Sequence, residues 1–230
     1  PTYKRIGILG GMSPESTAEF YELLIKKHLK TFSNDAYPEI IIFSVNFDKV
    51  LQHQDASDTG PYVQELSKGL SALASAGVDF IVIPSNTVHK VLEELRAAVS
   101  VPILSIVDTT LDQANKQGLH KLLLLGTKQT MSGTFYQKEA AKRGIDLTTP
   151  TNGEQDVINT IIFEELVLGN EPSNKSKQYM LEIMGKHSEV DAIILGCTEL
   201  QMIIKPGDTP LPLLDTLEIQ VEATLKFASS

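Results

Sequence analysis

Short apolar runs alternate with longer helical patterns along the chain, and this alternation limits the possible folds more than any other feature of the sequence. The runs are rich in β-branched residues and apolar at consecutive positions, which is typical of strands buried on both faces of a parallel sheet. The strand candidates are residues 5–9, 39–45, 80–83, 101–106, 121–125 and 192–195, with a weaker run at 145–148. The helical stretches between them predict right-handed crossover connections. The sequence therefore indicates an α/β protein.

The second half of the chain repeats three strand-end motifs of the first half in the same order. GILGGMS corresponds to LLLLGTKQT, FIVIPSNT to AIILGCTE, and VPILSIVD to LPLLDT. Corresponding positions are 110 to 116 residues apart, about half of the 230-residue chain, as expected for two copies of one unit. This repetition predicts two similar doubly wound parallel-sheet domains related by pseudo-twofold symmetry. One would comprise residues 1–102 and 212–230, and the other residues 103–211.

Charge and cysteine content exclude several classes of function. The chain has 20 Lys and Arg residues against 29 Asp and Glu residues, a net charge of −9, which argues against a general affinity for nucleic acids or anionic membranes. No apolar run reaches the roughly 18 residues that a membrane-spanning helix needs. The single cysteine cannot form an intrachain disulfide, which favours a reducing compartment. We therefore expect a cytoplasmic protein that binds neither nucleic acids nor membranes.

Four polar motifs follow predicted strands, at residues 10–13, 85–87, 126–130 and 196–199. In open α/β sheets, ligands bind beyond the carboxyl ends of the strands, so these motifs are the candidate functional positions. The first motif has neither the G-x-G-x-x-G spacing of a dinucleotide loop nor the Gly-Lys-Ser/Thr of a P-loop, so no nucleotide cofactor is indicated. Its Ser13-Pro14-Glu15 sequence is instead typical of a helix start.

Cys197 is the most reactive side chain among these motifs. It follows an apolar strand and one glycine at the predicted start of a helix. Unpaired N–H groups at such a place favour a thiolate and lower the pKa of the thiol from its usual value of about 8.5, although buried cysteines are more often inert apolar residues. The neighbouring Thr198 and Glu199 are polar, unlike core residues. Glu199 either orients a substrate ammonium group or lies in the first helical turn without a further role.

Ser85 occupies the equivalent position in the first half and is followed by Asn86 and Thr87, which can hydrogen-bond a carboxylate. A nucleophilic Ser85 with His89 as its base is poorly supported, because the G-x-S-x-G elbow and an acidic partner are absent. We expect His89 to line the site or its rim. The remaining histidines do not have the spacing of metal ligands, so no metal site is predicted.

Five ordered motifs, GILGGMSPEST, IPSNTVHK, LLGTKQTM, IIFEELVLG and ILGCTEL, resemble those of the aspartate/glutamate racemase family, especially its bacterial broad-specificity or L-specific branch. The resemblance covers essentially the whole chain. It implies two α/β domains with the active site in the cleft between them, a homodimer, and no metal or other cofactor. It also implies racemisation of aspartate or glutamate by two groups, usually cysteines, that move a proton at Cα. The repeated halves support this independently, since racemisation needs an acid/base group on each side of one carbon.

The resemblance assigns roles to individual positions. Cys197 would be one catalytic base, and Ser85 stands where the second cysteine is expected. The substrate-binding residues would be Met12, Gln54, Asn86, Thr87, Thr130, Thr198 and Glu199. An alcohol ionises far less readily than a thiol, so the activity is expected to be impaired or one-sided.

Several alternatives remain open at the level of the sequence. Aspartate-specific relatives present an arginine and a lysine where this chain has the glutamines of residues 52–54 and Val167, which leaves a wider substrate range open. A single cysteine also fits a decarboxylase or isomerase of the same superfamily, resembling arylmalonate decarboxylases and maleate isomerases. A non-catalytic protein that binds an acidic amino acid is a further alternative.

Overall fold

The computed structural model describes residues 3–33 and 36–230 and divides the chain into two compact units. The first unit comprises Pro1–Ile106 and Gln220–Ser230, and the second comprises Val107–Ile219. The two divisions lie four and eight residues C-terminal to those predicted from the sequence.

The first unit is built on a four-stranded parallel sheet with the order β2-β1-β3-β4. Its strands are β1 (Ile6–Gly10), β2 (Ile40–Ser44), β3 (Phe80–Val82) and β4 (Ile103–Leu104). The helices between them are α1 (Pro14–Phe32), α2 (Phe47–Gln54), α3 (Gly60–Ser75) and α4 (Leu92–Ala98), with a 3₁₀ helix at Thr87–Val91. Every residue of the central strands β1 and β3 is buried, whereas the edge strand β2 is partly exposed.

The second unit repeats this topology with the strand order β6-β5-β7-β8. Its strands are β5 (Lys121–Gly126), β6 (Asp146–Thr148), β7 (Ala192–Gly196) and β8 (Leu213–Asp215). Its helices are α5 (Ile106–Lys116), α6 (Lys128–Ser132), α7 (Phe135–Lys142), α8 (Asn152–Ile161) and α9 (Asn174–Lys186), with a π-helical turn at Ile162–Leu166 and a 3₁₀ helix at Leu200–Met202. The last helix, α10 (Thr216–Ala228), begins in the second unit and ends in the first.

The matching strand orders confirm the predicted α/β class with two similar parallel-sheet units. Each unit has its own apolar core, centred on Leu9, Leu66 and Ile81 in the first and on Leu123, Ile158 and Ile193 in the second. Strand β4 pairs with β3, and β8 pairs with β7. Strand β4 therefore belongs to the first sheet and β8 to the second. For this reason both boundaries between the units lie C-terminal to the predicted ones.

Some regular elements are shorter than the apolar pattern predicts. The predicted strand 101–106 has only the two strand residues of β4, because α5 already begins at Ile106. The predicted helix after Cys197 is only the three-residue 3₁₀ helix Leu200–Met202. Within residues 3–33 and 36–230, none of the helices has both the length and the apolar character that a membrane crossing requires.

Candidate active site

The turn between β1 and α1 is shaped by two glycines. Gly11 has a φ of +92°, and a Cβ on it would lie 2.7 Å from the backbone nitrogen of Val45. Its N–H donates to Thr17 Oγ1 at 2.8 Å, and the Thr17 hydroxyl donates to the carbonyl of Ser13 at 2.9 Å. Thr17 therefore binds the Gly11 N–H and connects the glycine turn to the first turn of α1. The predicted pocket residue Met12 is buried in the same turn.

The segment after β3 carries Ser85, Asn86 and Thr87. Ser85 is half-buried, and the side chains of Asn86 and Thr87 are buried at the start of the 3₁₀ helix. All three follow the carboxyl end of a central strand of the first sheet, as the sequence predicts.

His89 has a structural role. Its Nε2 accepts from the backbone N–H of Ile106 at 3.1 Å, so its Nδ1 carries the proton and donates to the Ser85 carbonyl at 2.8 Å. Burial lowers the pKa of His89 to about 4, against a usual value of 6.5. A neutral ring with both nitrogens engaged cannot act as the base of Ser85. At 3% exposure His89 is also not a rim residue, so of the two positions expected for it, lining the site or lying at its rim, the second is wrong.

Lys90 connects the predicted substrate residue Gln54 to the segment that follows Ser85. Its ammonium group donates to the carbonyl of Gln54 at the end of α2 and lies 4.9 Å from the centre of the Tyr62 ring. Burial lowers the pKa of Lys90, while the charge of Asp55 acts in the opposite direction. Sequence reasoning did not select Lys90, although a lysine within the largely apolar segment VHKVL was a usable signal.

In the second unit, Thr130 lies against the ends of β5 and β7. Its N–H donates to Thr127 Oγ1 at 3.2 Å, and the Thr127 hydroxyl donates to Thr130 Oγ1 at 3.1 Å. Gly126 and Gly196 are paired in the sheet, and a Cβ on Gly126 would lie 2.8 Å from the Gly196 carbonyl oxygen. Because neither glycine has a side chain, Thr130 can pack beside Gly196, the residue that precedes Cys197.

Cys197, Thr198 and Glu199 form one hydrogen-bonded group after β7. The Cys197 thiol donates to Glu199 Oε2 at 3.0 Å, and the Thr198 hydroxyl donates to the same oxygen at 2.9 Å. Cys197 and Glu199 are each 8% exposed. The structure therefore brings three predicted site residues together, with a carboxylate directly beside the thiol.

Burial raises the pKa of the Cys197 thiol well above its usual value, and the negative charge of Glu199 and its hydrogen bond with the thiol raise the pKa further. The N–H groups of Glu199 and Leu200 act in the opposite direction but do not outweigh these effects. The expectation that a helix start lowers this pKa is therefore wrong. The physical reason is that Cys197 is buried and in direct contact with the Glu199 carboxylate, while only a short 3₁₀ helix follows it.

Among the described residues, no group of three or more histidine, cysteine, aspartate or glutamate side chains is arranged to hold a metal ion. The candidate residues instead offer a thiol, hydroxyls, an amide and one carboxylate. These groups can transfer protons and hydrogen-bond a small polar ligand.

Comparison with known proteins gives consistent results along almost the whole chain. The family model described as Asp/Glu/Hydantoin racemase matches residues 9–224. A broad specificity amino-acid racemase of Bacillus subtilis is 29% identical over 227 residues, covering 96% of each protein. The crystal structure of an aspartate racemase homologue from Pyrococcus horikoshii has a TM-score of 0.84 and 36% identity, covering 99% of this chain and 100% of that one.

An aspartate racemase from Picrophilus torridus has a TM-score of 0.78 and 25% identity, covering 98% of this chain and 94% of that one. The match to the family model extends from the end of β1 into α10, so it includes both sheets and all the candidate residues. The chain therefore belongs to the Asp/Glu/Hydantoin racemase family.

Proposed function

We propose that this protein racemises an acidic amino acid, aspartate or glutamate, without a cofactor, and that Cys197 is the thiol that moves the α-proton. Family membership supports amino-acid racemase activity. The observation that carries the proposal is the buried Cys197 thiol after β7, held by a carboxylate acceptor 3.0 Å away. A thiol with a fixed acceptor can move a proton, and racemisation consists of removing a proton from one face of Cα and returning one to the opposite face.

The remaining candidate residues would bind the substrate. Asn86, Thr87 and Thr198 would hydrogen-bond the α-carboxylate, Met12 and Thr130 would line the pocket, and Gln54 would contact the substrate side chain. The Thr198 hydroxyl donates to Glu199 in the structure. It would therefore have to exchange this partner for the substrate on binding.

Ser85 takes the position of the second proton-transferring group. A serine hydroxyl ionises negligibly near neutral pH, so it is a poor base and only a modest proton donor. We therefore expect the enzyme to exchange the α-proton of one enantiomer faster than it inverts that enantiomer. Cytoplasmic action as a homodimer is part of the same proposal, and light scattering on the purified protein measures its oligomeric state.

A single-cysteine decarboxylase is the second candidate function, because the raised pKa keeps the Cys197 thiol protonated. A protonated thiol suits the donation of a proton to the carbanion that forms when CO₂ is lost. Release of CO₂ from an arylmalonate, with no α-proton exchange in amino acids, would favour this function over racemisation.

The test follows each enantiomer of aspartate and glutamate in D₂O, with loss of the α-proton measured by NMR and inversion by chiral chromatography. We expect Cys197→Ser to abolish exchange, because it removes the thiol. We expect Ser85→Cys to raise the inversion rate toward the exchange rate. The control Ser75→Cys places a thiol at an exposed position at the end of α3 and should change neither rate.

Three outcomes would contradict the proposal. Exchange that persists in Cys197→Ser would show that another group moves the proton. Equal exchange of both enantiomers by the wild-type protein would show that Ser85 does not limit the reaction. The third outcome is that the wild-type protein shows no exchange and that Cys197→Ser still binds aspartate or glutamate. This result would indicate a non-catalytic binding protein.

A further inference from the structure

We propose that Lys90 is a positioning residue, which holds the C-terminal end of α2 so that Gln54 can contact the side chain of the substrate. The inference rests on the proposed function, in which Gln54 makes that contact. Lys90 acts through Gln54, so it influences which amino acid the enzyme accepts and not how the α-proton moves.

Helix α2 makes few contacts with the apolar core. It has eight residues, all of them described, and Val50 is the only buried one. The last four carbonyls of a helix have no partner within the helix, and the carbonyl of Gln54 is the last of these in α2. A segment with few buried contacts opens locally at low cost in free energy. The end of α2 therefore depends on groups from outside the helix.

Lys90 supplies such a group from the 3₁₀ helix that follows Ser85. Its ammonium group donates to the Gln54 carbonyl, and a cation at the C-terminal end of a helix interacts favourably with the helix dipole. The same ammonium group lies 4.9 Å from the centre of the Tyr62 ring, within the range of a cation–π interaction. Tyr62 is fully buried in α3. Lys90 therefore connects α2 to the core of the first unit.

The 3₁₀ helix also fixes Lys90 relative to Ser85. His89 Nδ1 donates to the Ser85 carbonyl at 2.8 Å, and its Nε2 accepts from the Ile106 N–H at 3.1 Å. Because His89 and Lys90 are adjacent, one short segment binds the backbone of Ser85 and that of Gln54. This arrangement sets the spacing between the two residues. Aspartate and glutamate differ in length by one methylene group, so a fixed spacing favours one of them.

The test compares three lysine variants with wild-type protein. Lys90→Met keeps the length of the side chain but removes its charge and its hydrogen-bond donors, whereas Lys90→Arg keeps both. Lys68→Met is the matched control, because Lys68 is an exposed lysine of the same unit that pairs with Glu65. The rate of α-proton exchange in D₂O is resolved into kcat and KM for aspartate and for glutamate. Amide hydrogen exchange of residues 47–56, measured by mass spectrometry, reports on α2 without any substrate.

We expect Lys90→Met to raise KM for the preferred amino acid about tenfold, because Gln54 is no longer held in place, and to change kcat less than about twofold. The ratio of kcat/KM between aspartate and glutamate should move toward one. Amide exchange of residues 47–56 should become faster, with no change in β1. Lys90→Arg should keep most of the wild-type behaviour, and Lys68→Met should match wild type.

A double-mutant cycle separates action through Gln54 from a general effect on the fold. Gln54→Ala removes the proposed contact with the substrate but keeps the carbonyl that Lys90 binds. If Lys90 acts through Gln54, adding Lys90→Met to Gln54→Ala should raise KM by less than about twofold further, because residues that act together have non-additive effects.

Three results would overturn the inference. Additive effects of the two substitutions on KM would show that Lys90 does not act through Gln54. A fall in kcat with an unchanged KM would show that Lys90 affects proton transfer instead. Unchanged amide exchange of residues 47–56 in Lys90→Met would show that Lys90 does not hold α2. If the wild-type protein exchanges no α-proton, the racemase proposal fails separately, and amide exchange still decides whether Lys90 holds α2.

Discussion

At the scale of single residues, burial and direct partners decide the chemistry of the ionisable groups. His89 and Cys197 each follow the end of a central strand, and the sequence presents both as potential site residues. In the structure, His89 uses both ring nitrogens to connect Ser85 to Ile106, while Cys197 faces a carboxylate. The pKa of His89 falls and that of Cys197 rises for the same main reason, which is that burial disfavours the charged form of each.

The buried histidine makes stability depend on pH. The unfolded chain binds a proton at His89 near pH 6.5, whereas the folded protein binds it only near pH 4. The unfolded state therefore carries more protons between these values, and the free energy of unfolding should fall as the pH is lowered from 6.5 to 4. The shift corresponds to a loss of about 3 kcal/mol.

Urea unfolding of wild type and His89→Gln at several pH values between 4 and 7.5 measures this effect. The glutamine cannot be protonated, so the variant should show a smaller dependence on pH, whatever its stability at neutral pH. The control His187→Gln, at the end of α9, should keep the wild-type dependence. An unchanged slope in His89→Gln would show that other groups cause the acid sensitivity.

At the scale of elements, close approaches at strand ends determine where the helices begin. Helix α1 starts with Ser13 as its N-cap, whose Oγ accepts from the N–H of Ser16 at 3.3 Å. The sequence shows this cap directly. It does not show that Thr17, one turn into the helix, packs against Gly10 at the end of β1, because that contact depends on how the helix lies on the strand.

We expect Gly10→Ala to destabilise the protein by about 1 to 3 kcal/mol through overpacking. The added Cβ would lie 2.3 Å from Thr17 Cγ2 and 2.6 Å from Thr17 Oγ1, so the helix start would have to shift. The matched control is Gly185→Ala within α9, where a Cβ meets nothing within 4 Å. It should stabilise the protein by about 0.5 to 1 kcal/mol, because alanine favours the helix.

Thermal unfolding followed by circular dichroism measures both glycine variants. The two melting temperatures should move in opposite directions relative to wild type. If Gly10→Ala melts at or above the wild-type temperature, Thr17 can move away freely and the contact does not constrain α1.

At the scale of the whole molecule, the chain contains the same four-stranded topology twice. The second copy, Val107–Ile219, is continuous in sequence and has its own sheet and apolar core. Its size falls within the usual range of about 50 to 250 residues for an independent domain. The first copy also needs Gln220–Ser230 from the end of the chain.

We expect a fragment of residues 107–219 to fold cooperatively on its own. A fragment of residues 103–211, which follows the sequence-based division, should be markedly less stable or unfolded. It lacks β8, which pairs with β7 beside Cys197, and carries β4, which pairs in the other sheet. Thermal melts of both fragments test this expectation, and equal melting temperatures would contradict it.

The sequence by itself determined the α/β class, the duplication, the family and the positions of the candidate residues. Apolar runs, helix caps and strand-end motifs are local patterns. The matching strand orders of the two sheets confirm the α/β class and the duplication that these patterns predict. The strand predicted at residues 101–106 contains only the two residues of β4, because an apolar run continues unchanged where the backbone turns into a neighbouring element. The helix predicted to begin at Cys197 is only the 3₁₀ helix Leu200–Met202.

Only the tertiary structure decided the chemical state of those residues. Three features cannot be predicted from the spacing of residues in the sequence. His89 is neutral and structural, Lys90 binds the carbonyl of Gln54, and the Glu199 carboxylate faces the Cys197 thiol. Hydrogen bonds and pKa values depend on burial and on partners up to tens of residues away in the chain. Sequence therefore located the thiol, and the folded structure placed a carboxylate against it.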